Sequence, residues 1–208
     1  MLKIVLFIAF IGHVLCGICD CLLSYKPGGR LDLKEALKSS DRMREVFNDY
    51  PIKWALVSIM LGVCAITMFG FGYLELSKWM AEYSQVASLV MCISAVIFLI
   101  PIVVHHIICG LVEWLYVRLG KTDEAREVAL EFQTKTIATM IVGYWGLAVF
   151  LVTLFIMVVT GKTPLPQWAC VLNTLPLMLL LTPTKLPAKG NIAGAIMYLG
   201  LLIMLLFT

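Results

Sequence analysis

The chain has three histidines, His13, His105 and His106, and each lies inside a long apolar run. His13 opens the segment His13-Val14-Leu15-Cys16-Gly17-Ile18-Cys19-Asp20, and His106 opens His106-Ile107-Ile108-Cys109-Gly110-Leu111-Val112-Glu113. Both segments carry His, Cys, Gly and a carboxylic acid at offsets 0, 3, 4 and 7, which puts all four on one face of an α-helix. A charged side chain deep in lipid costs about 2.5–3.5 kcal/mol on insertion scales, so such residues face a bundle interior or a water-filled cavity. We therefore read His13, Asp20, His106 and Glu113 as ligand or proton-relay groups lining an internal polar pocket. The bland alternative is packing, with the acids snorkelling to the interface and each histidine bonded to a neighbouring helix.

Four chemistries suit such a pocket. Histidines and carboxylates at this depth are typical of proton or cation relays. A transition metal such as zinc or iron would take His13, Cys16, Asp20, His106, Cys109 and Glu113 as its candidate ligands, because all three residue types are ligands for these ions. Haem held by His13 and His106 is a third, with Gly17 and Gly110 leaving room for the ring. Thiol redox chemistry at Cys16-Gly17-Ile18-Cys19 is the weakest, since Cys109 lacks a matching partner. His105 points about 100° away from His106 on a helix and is a secondary candidate. No H-E-x-x-H, G-x-S-x-G or phosphate-loop motif accompanies these residues.

The elements that must position them are apolar helices. Of 208 residues, 61% are hydrophobic and 14% charged, against about 25% charged in soluble domains. Apolar runs at 2–23, 54–74, 86–117, 137–160, 165–182 and 192–207 predict a single all-α membrane domain over 1–208, a bundle of about six spans. The run at 2–23 lacks a small-residue cleavage site and reads as a retained helix, not a signal peptide. Within 25–53, Leu33, Ala36, Leu37, Met43, Phe47 and Tyr50 recur near helical spacing and predict one amphipathic helix lying in the interface. Thr122-Asp123-Glu124 reads as the start of a helix running on into the fourth span. Asn173 with Pro176 reads as a hydrogen bond to a neighbouring helix or an opening of the fifth helix toward a cavity, Pro101 predicts a kink in the third span, and Gly190 and Gly194 have helix-packing spacing.

Loops one, three and five hold 13 of the 16 Lys and Arg residues. This predicts those loops in the cytoplasm and both termini outside. The first and third spans then run in the same direction, so the two His/Cys/Gly/acid faces are expected to meet at one depth as a two-helix internal repeat. The net charge of +3 gives no reason to expect a nucleic-acid partner. The expected partners are the bilayer and an ion or small molecule, and a homo-oligomer is compatible with the sequence. Seven cysteines, all in or beside apolar runs, do not form a disulfide framework.

A histidine in the first span, an acid followed closely by Leu22-Leu23, and then Tyr25-Lys26-Pro27-Gly28-Gly29 resemble one group of small bacterial multi-pass membrane proteins of unknown function. The resemblance covers the N-terminal third and implies a bacterial cytoplasmic membrane. The residues themselves favour binding or transport through the pocket. A membrane-embedded enzyme using the same cluster, metal-dependent or redox, and a structural or assembly protein without a site are the rivals.

Overall fold

A computed structural model describes residues 1–207. The chain is almost wholly helical: α1 (Leu2–Ser24), α2 (Leu33–Ala36), α3 (Ser40–Val46), α4 (Ile52–Met80), α5 (Gln85–Arg118), α6 (Asp123–Lys135), α7 (Ala138–Val159), α8 (Thr174–Leu181) and α9 (Lys189–Phe207). Five helical stretches are long and apolar enough to cross a membrane: α1, α4, α5, α6 with α7, and α9. That composition and the apolar side chains facing outward along them identify a membrane protein.

The helices form a closed ring. α1 packs on α4, α4 on α5, and α5 on α7. A 3₁₀ helix (Gln167–Leu172) and α8 follow on from α7, and α9 closes the ring by packing on both α8 and α1. Small residues set the closest approaches. A Cβ at Gly12 would sit 2.7 Å from the Phe69 backbone nitrogen on α4. One at Gly146 would sit 2.7 Å from that of Phe98 on α5. Toward one end, the interior is filled by Phe69, Tyr73, Phe98, Phe150 and Tyr198, with Tyr73 edge-on to Phe98 at 5.3 Å and to Phe150 at 4.9 Å.

Two expected elements differ. The stretch 25–53 is not one amphipathic helix. A two-residue hairpin (β1, Tyr25–Lys26; β2, Gly29–Arg30) comes first, followed by the short α2 and α3. Ser39 breaks the run by capping a new helix, accepting from the Arg42 amide. Met43, Phe47 and Tyr50 are buried, as a core-facing stripe would be, whereas Leu33 and Leu37 are exposed. The stretch 165–182 is not one continuous helix. Asn173 divides it: its amide donates to the Leu151 carbonyl at 2.9 Å, and its Oδ1 accepts from the Leu175 amide at 2.9 Å, capping α8. This broken element still carries the chain from end to end. It starts beside Gly161, past the C-terminal end of α7. It finishes where Arg30 donates to the Lys185 carbonyl, past the C-terminal end of α1.

That second end of the bundle gathers the three basic loops. Arg44 pairs with Asp123 at 2.8 Å, and Arg126 donates to the Leu37 carbonyl at 2.9 Å. Thr122 caps α6 as the sequence suggests, accepting from the Ala125 amide. α6 continues into α7 after a turn at Thr136 and Ile137. α5 remains helical through Pro101 and is 34 residues long.

Candidate functional site

The polar groups gather in the half of the ring nearest the basic loops. On α1, Asp20 follows Cys16 by one turn, and Ser24 follows Asp20 by another, so the three share a face. Asn191, in the first turn of α9, joins this face to His13. Its Nδ2 donates to Asp20 Oδ2 at 2.8 Å, and its Oδ1 lies 3.0 Å from His13 Nδ1. The amide orientation makes Oδ1 an acceptor, so His13 carries its proton on Nδ1 and a lone pair on Nε2. That Nε2 is buried without a partner. The imidazole stacks on Phe69 at 4.3 Å and on Tyr198 at 5.5 Å. It fits there because position 194 on α9 is glycine; a Cβ would strike the ring.

His106 enters from α5. Its Nε2 lies 3.0 Å from the Ser58 carbonyl and 3.5 Å from Ser58 Oγ, which itself donates to the Cys19 carbonyl at 3.0 Å. Both Ser58 oxygens therefore accept from His106, which fixes the proton on Nε2 and leaves the lone pair on Nδ1. Gly62 makes the room, since a Cβ there would overlap the imidazole. Ligand atoms of Cys16, Asp20 and His106 all lie within 4.8 Å of one another, the one such group of three among the described residues.

The other expected members lie close by but in separate contacts. The Thr139 hydroxyl donates to the Thr136 carbonyl, so His105 Nδ1 donates to Thr139 Oγ1 at 3.4 Å. His105 Nε2 is then free to accept from the Cys109 thiol at 3.5 Å. Gln133 reaches Cys109 Sγ at 3.9 Å. Glu113 packs against Tyr50, whose hydroxyl donates to the Leu22 carbonyl at 3.1 Å. Burial first, and the Glu113 carboxyl second, push the Tyr50 hydroxyl well above its usual range and keep it a neutral donor. Glu113 Oε2 and Gln133 Oε1 are buried without partners.

The two matching segments do not face each other position for position. His106 meets Cys16 and Asp20, one to two turns from His13. Gly17 faces Asn191 on α9 and Ala188 just before it, while Gly110 faces Ile59 and Ala55 on α4. The spaces expected for a haem ring are thus occupied by side chains, and the two imidazoles pack on different glycines. Cys16 and Cys19 are free thiols. Asn191 and Ser58 are polar neighbours of the candidate site that sequence reasoning missed. Asn191 is a polar side chain at the start of an apolar run, which was a usable signal. Ser58 acts largely through its backbone carbonyl and gave none.

Beyond Asp20, Ser24 lines an open cavity of about 530 Å³ with Arg30, Leu31, Asp32, Leu33 and Lys34. Asp20, Cys16 and His13 follow Ser24 along α1 at successive turns, and His13 abuts the aromatic cluster.

A model of a family described as a family of unknown function (DUF6796) matches residues 1–208. No curated protein matches the chain, and no solved structure does.

Proposed function

Because the chain belongs to that family of unknown function throughout its length, we propose its role from the site alone: it binds a cation inside the membrane, reached from the end bearing the basic loops. The observation that carries this reading is the convergence of Cys16, Asp20 and His106 from two helices, each held by hydrogen bonds or neighbours that leave a lone pair free. A carboxylate in this position is costly unless a cation or proton neutralises it. The aromatic cluster closes the opposite side, as in a carrier open to one face only.

In this reading the chain crosses the bilayer six times, with the broken 165–182 element as the fifth crossing. Both termini lie outside, and the cavity at Ser24 opens to the cytoplasm.

The test is thermal stability of the detergent-purified protein across pH and a panel of sodium, potassium, magnesium, calcium, zinc and cobalt ions. At least one of these is expected to raise the unfolding temperature of the parent. Asp20→Asn and His106→Ala should abolish that response, and Asp20→Asn should be as stable as the parent or more so without added ion, since a costly charge is gone. A parent indifferent to every ion and to pH, or an Asp20→Asn variant responding like the parent, would sink the proposal.

A further inference from the structure

We infer that Cys16 Sγ, Asp20 Oδ1 and His106 Nδ1 bind an exchangeable divalent metal ion of the zinc class; this rests on the cation-binding reading above and names the ion. Donor chemistry selects the class. One sulfur, one imidazole nitrogen and one carboxylate oxygen suit borderline ions such as zinc or cobalt, whereas magnesium and calcium require shells of oxygen.

Geometry is close to what such an ion needs. Metal bonds of about 2.0–2.3 Å to these donors put tetrahedral ligands about 3.3–3.8 Å apart. One ligand atom from each of Cys16, Asp20 and His106 lies within 4.8 Å of the other two, so side-chain adjustments that turn the free nitrogen and oxygen toward a shared ion would complete the site.

The supporting contacts are those expected around metal ligands. His106 donates its remaining N–H to the Ser58 carbonyl, which fixes the tautomer that presents Nδ1. Asn191 holds Asp20 through Oδ2 at 2.8 Å. The Asn191 amide also lies beside the Cys16 thiol.

Charge balance gives a second, independent reason. On binding, the Cys16 S–H bond breaks, its proton goes to water, and the sulfur keeps the electron pair as a thiolate bonded to the ion. Thiolate and carboxylate supply two negative charges, a neutral imidazole none, and the divalent ion cancels both. The loaded site is electrically neutral and Asp20 ceases to be an uncompensated charge in lipid. Three protein ligands leave a fourth position open, which distinguishes an exchange site from a closed structural one.

Cobalt serves as the probe. Chelator-treated protein, still folded by gel filtration in detergent, is titrated with cobalt while absorbance is recorded. One ion per chain is expected, with a thiolate-to-cobalt charge-transfer band and the visible bands of a tetrahedral site. Cys16→Ser should remove the charge-transfer band and weaken binding by more than about 100-fold. Asn191→Ala should weaken it by about 10–100-fold while keeping the band. Cys109→Ala and His105→Ala should bind as the parent does. Affinity should rise about tenfold per pH unit while the thiol is protonated, because one proton leaves for each ion bound.

The inference is overturned if folded parent binds no cobalt or zinc, if the band is absent, or if Cys109→Ala removes it. Should sodium or protons stabilise the parent through Asp20 while cobalt and zinc do not bind, the metal identity fails and the cation reading stands. If no ion acts through Asp20, both fail.

Discussion

His106 and His13 owe their places to glycines on neighbouring helices, so single methyl groups are sharp probes of the site. At Gly62 a Cβ would overlap the His106 imidazole, which is already fixed by Ser58 and cannot retreat without breaking that bond. Overpacking of this kind costs about 1–3 kcal/mol, partly offset by about 1 kcal/mol of helix propensity gained on replacing glycine by alanine. Gly62→Ala should therefore lower the unfolding temperature in detergent and weaken cation binding together. Gly17→Ala is the control: its Cβ would meet Asn191 and Ala188 at 3.6 and 3.8 Å, ordinary contact distances. It should be neutral or stabilising, with binding kept. Equal behaviour of the two variants would contradict the packing described around His106. At this scale the sequence was informative about Cys16, Asp20 and His106, because acids and histidines in apolar runs are conspicuous. It could not pair them correctly, because helical spacing fixes a face but not which neighbour that face meets.

Among the elements, the segment 165–182 shows where apolar composition misleads. Its hydropathy is that of a span, yet Pro166, Asn173 and Pro176 divide it, and a window average does not register a cap. Six residues of 3₁₀ helix and eight of α-helix give about 24 Å of length, near the roughly 30 Å hydrocarbon thickness. The break is held by one side chain. Asn173 satisfies the Leu151 carbonyl in the adjacent helix and caps α8. Loss of a cap costs about 0.5–2 kcal/mol, and the lost hydrogen bond to the Leu151 carbonyl, which keeps its partner within α7, about 0.5–1.5 kcal/mol more. Asn173→Ala should accordingly unfold at clearly lower temperature than the parent, while Asn173→Ser, a neutral cap too short to keep the bond to Leu151, should lose less. Thermal unfolding of the three proteins by circular dichroism decides it, and an unaffected Asn173→Ala would show that the break is held by something else. The interfacial stretch failed for a related reason. The stripe through Met43, Phe47 and Tyr50 is real, but Ser39 restarts the helix, and a polar residue of that kind reads equally well as surface or as cap.

Taken whole, the molecule is a ring whose two ends differ, aromatic and closed at one, basic and open at the other. The sequence anticipated the helical class and the collection of cations into alternate loops, because both follow from composition and from the length of apolar runs. It did not anticipate that Gly17 would turn to Asn191 and Gly110 to α4 while His106 still reaches Cys16 and Asp20, since α4 packs against both α1 and α5 and takes up much of the surface between them. The distinction with the largest consequence is the number of crossings. Five helical stretches are long and apolar enough to cross, and in our proposal the broken 165–182 element makes a sixth passage. Six passages return the C terminus to the side of the N terminus; five would not. With 13 of 16 cations in the alternate loops, the charge bias predicts both termini outside and residues 182–188 in the cytoplasm. A periplasm-dependent phosphatase fused after the last residue should be active, and the same reporter fused after Leu186 should be silent. A fluorescent protein that matures only in the cytoplasm should give the reverse pair. An active phosphatase at Leu186, or a fluorescent C-terminal fusion, would mean that the 165–182 element does not cross. The cavity beside Ser24 would then have to be reassigned to the opposite face or to a bundle of five spans.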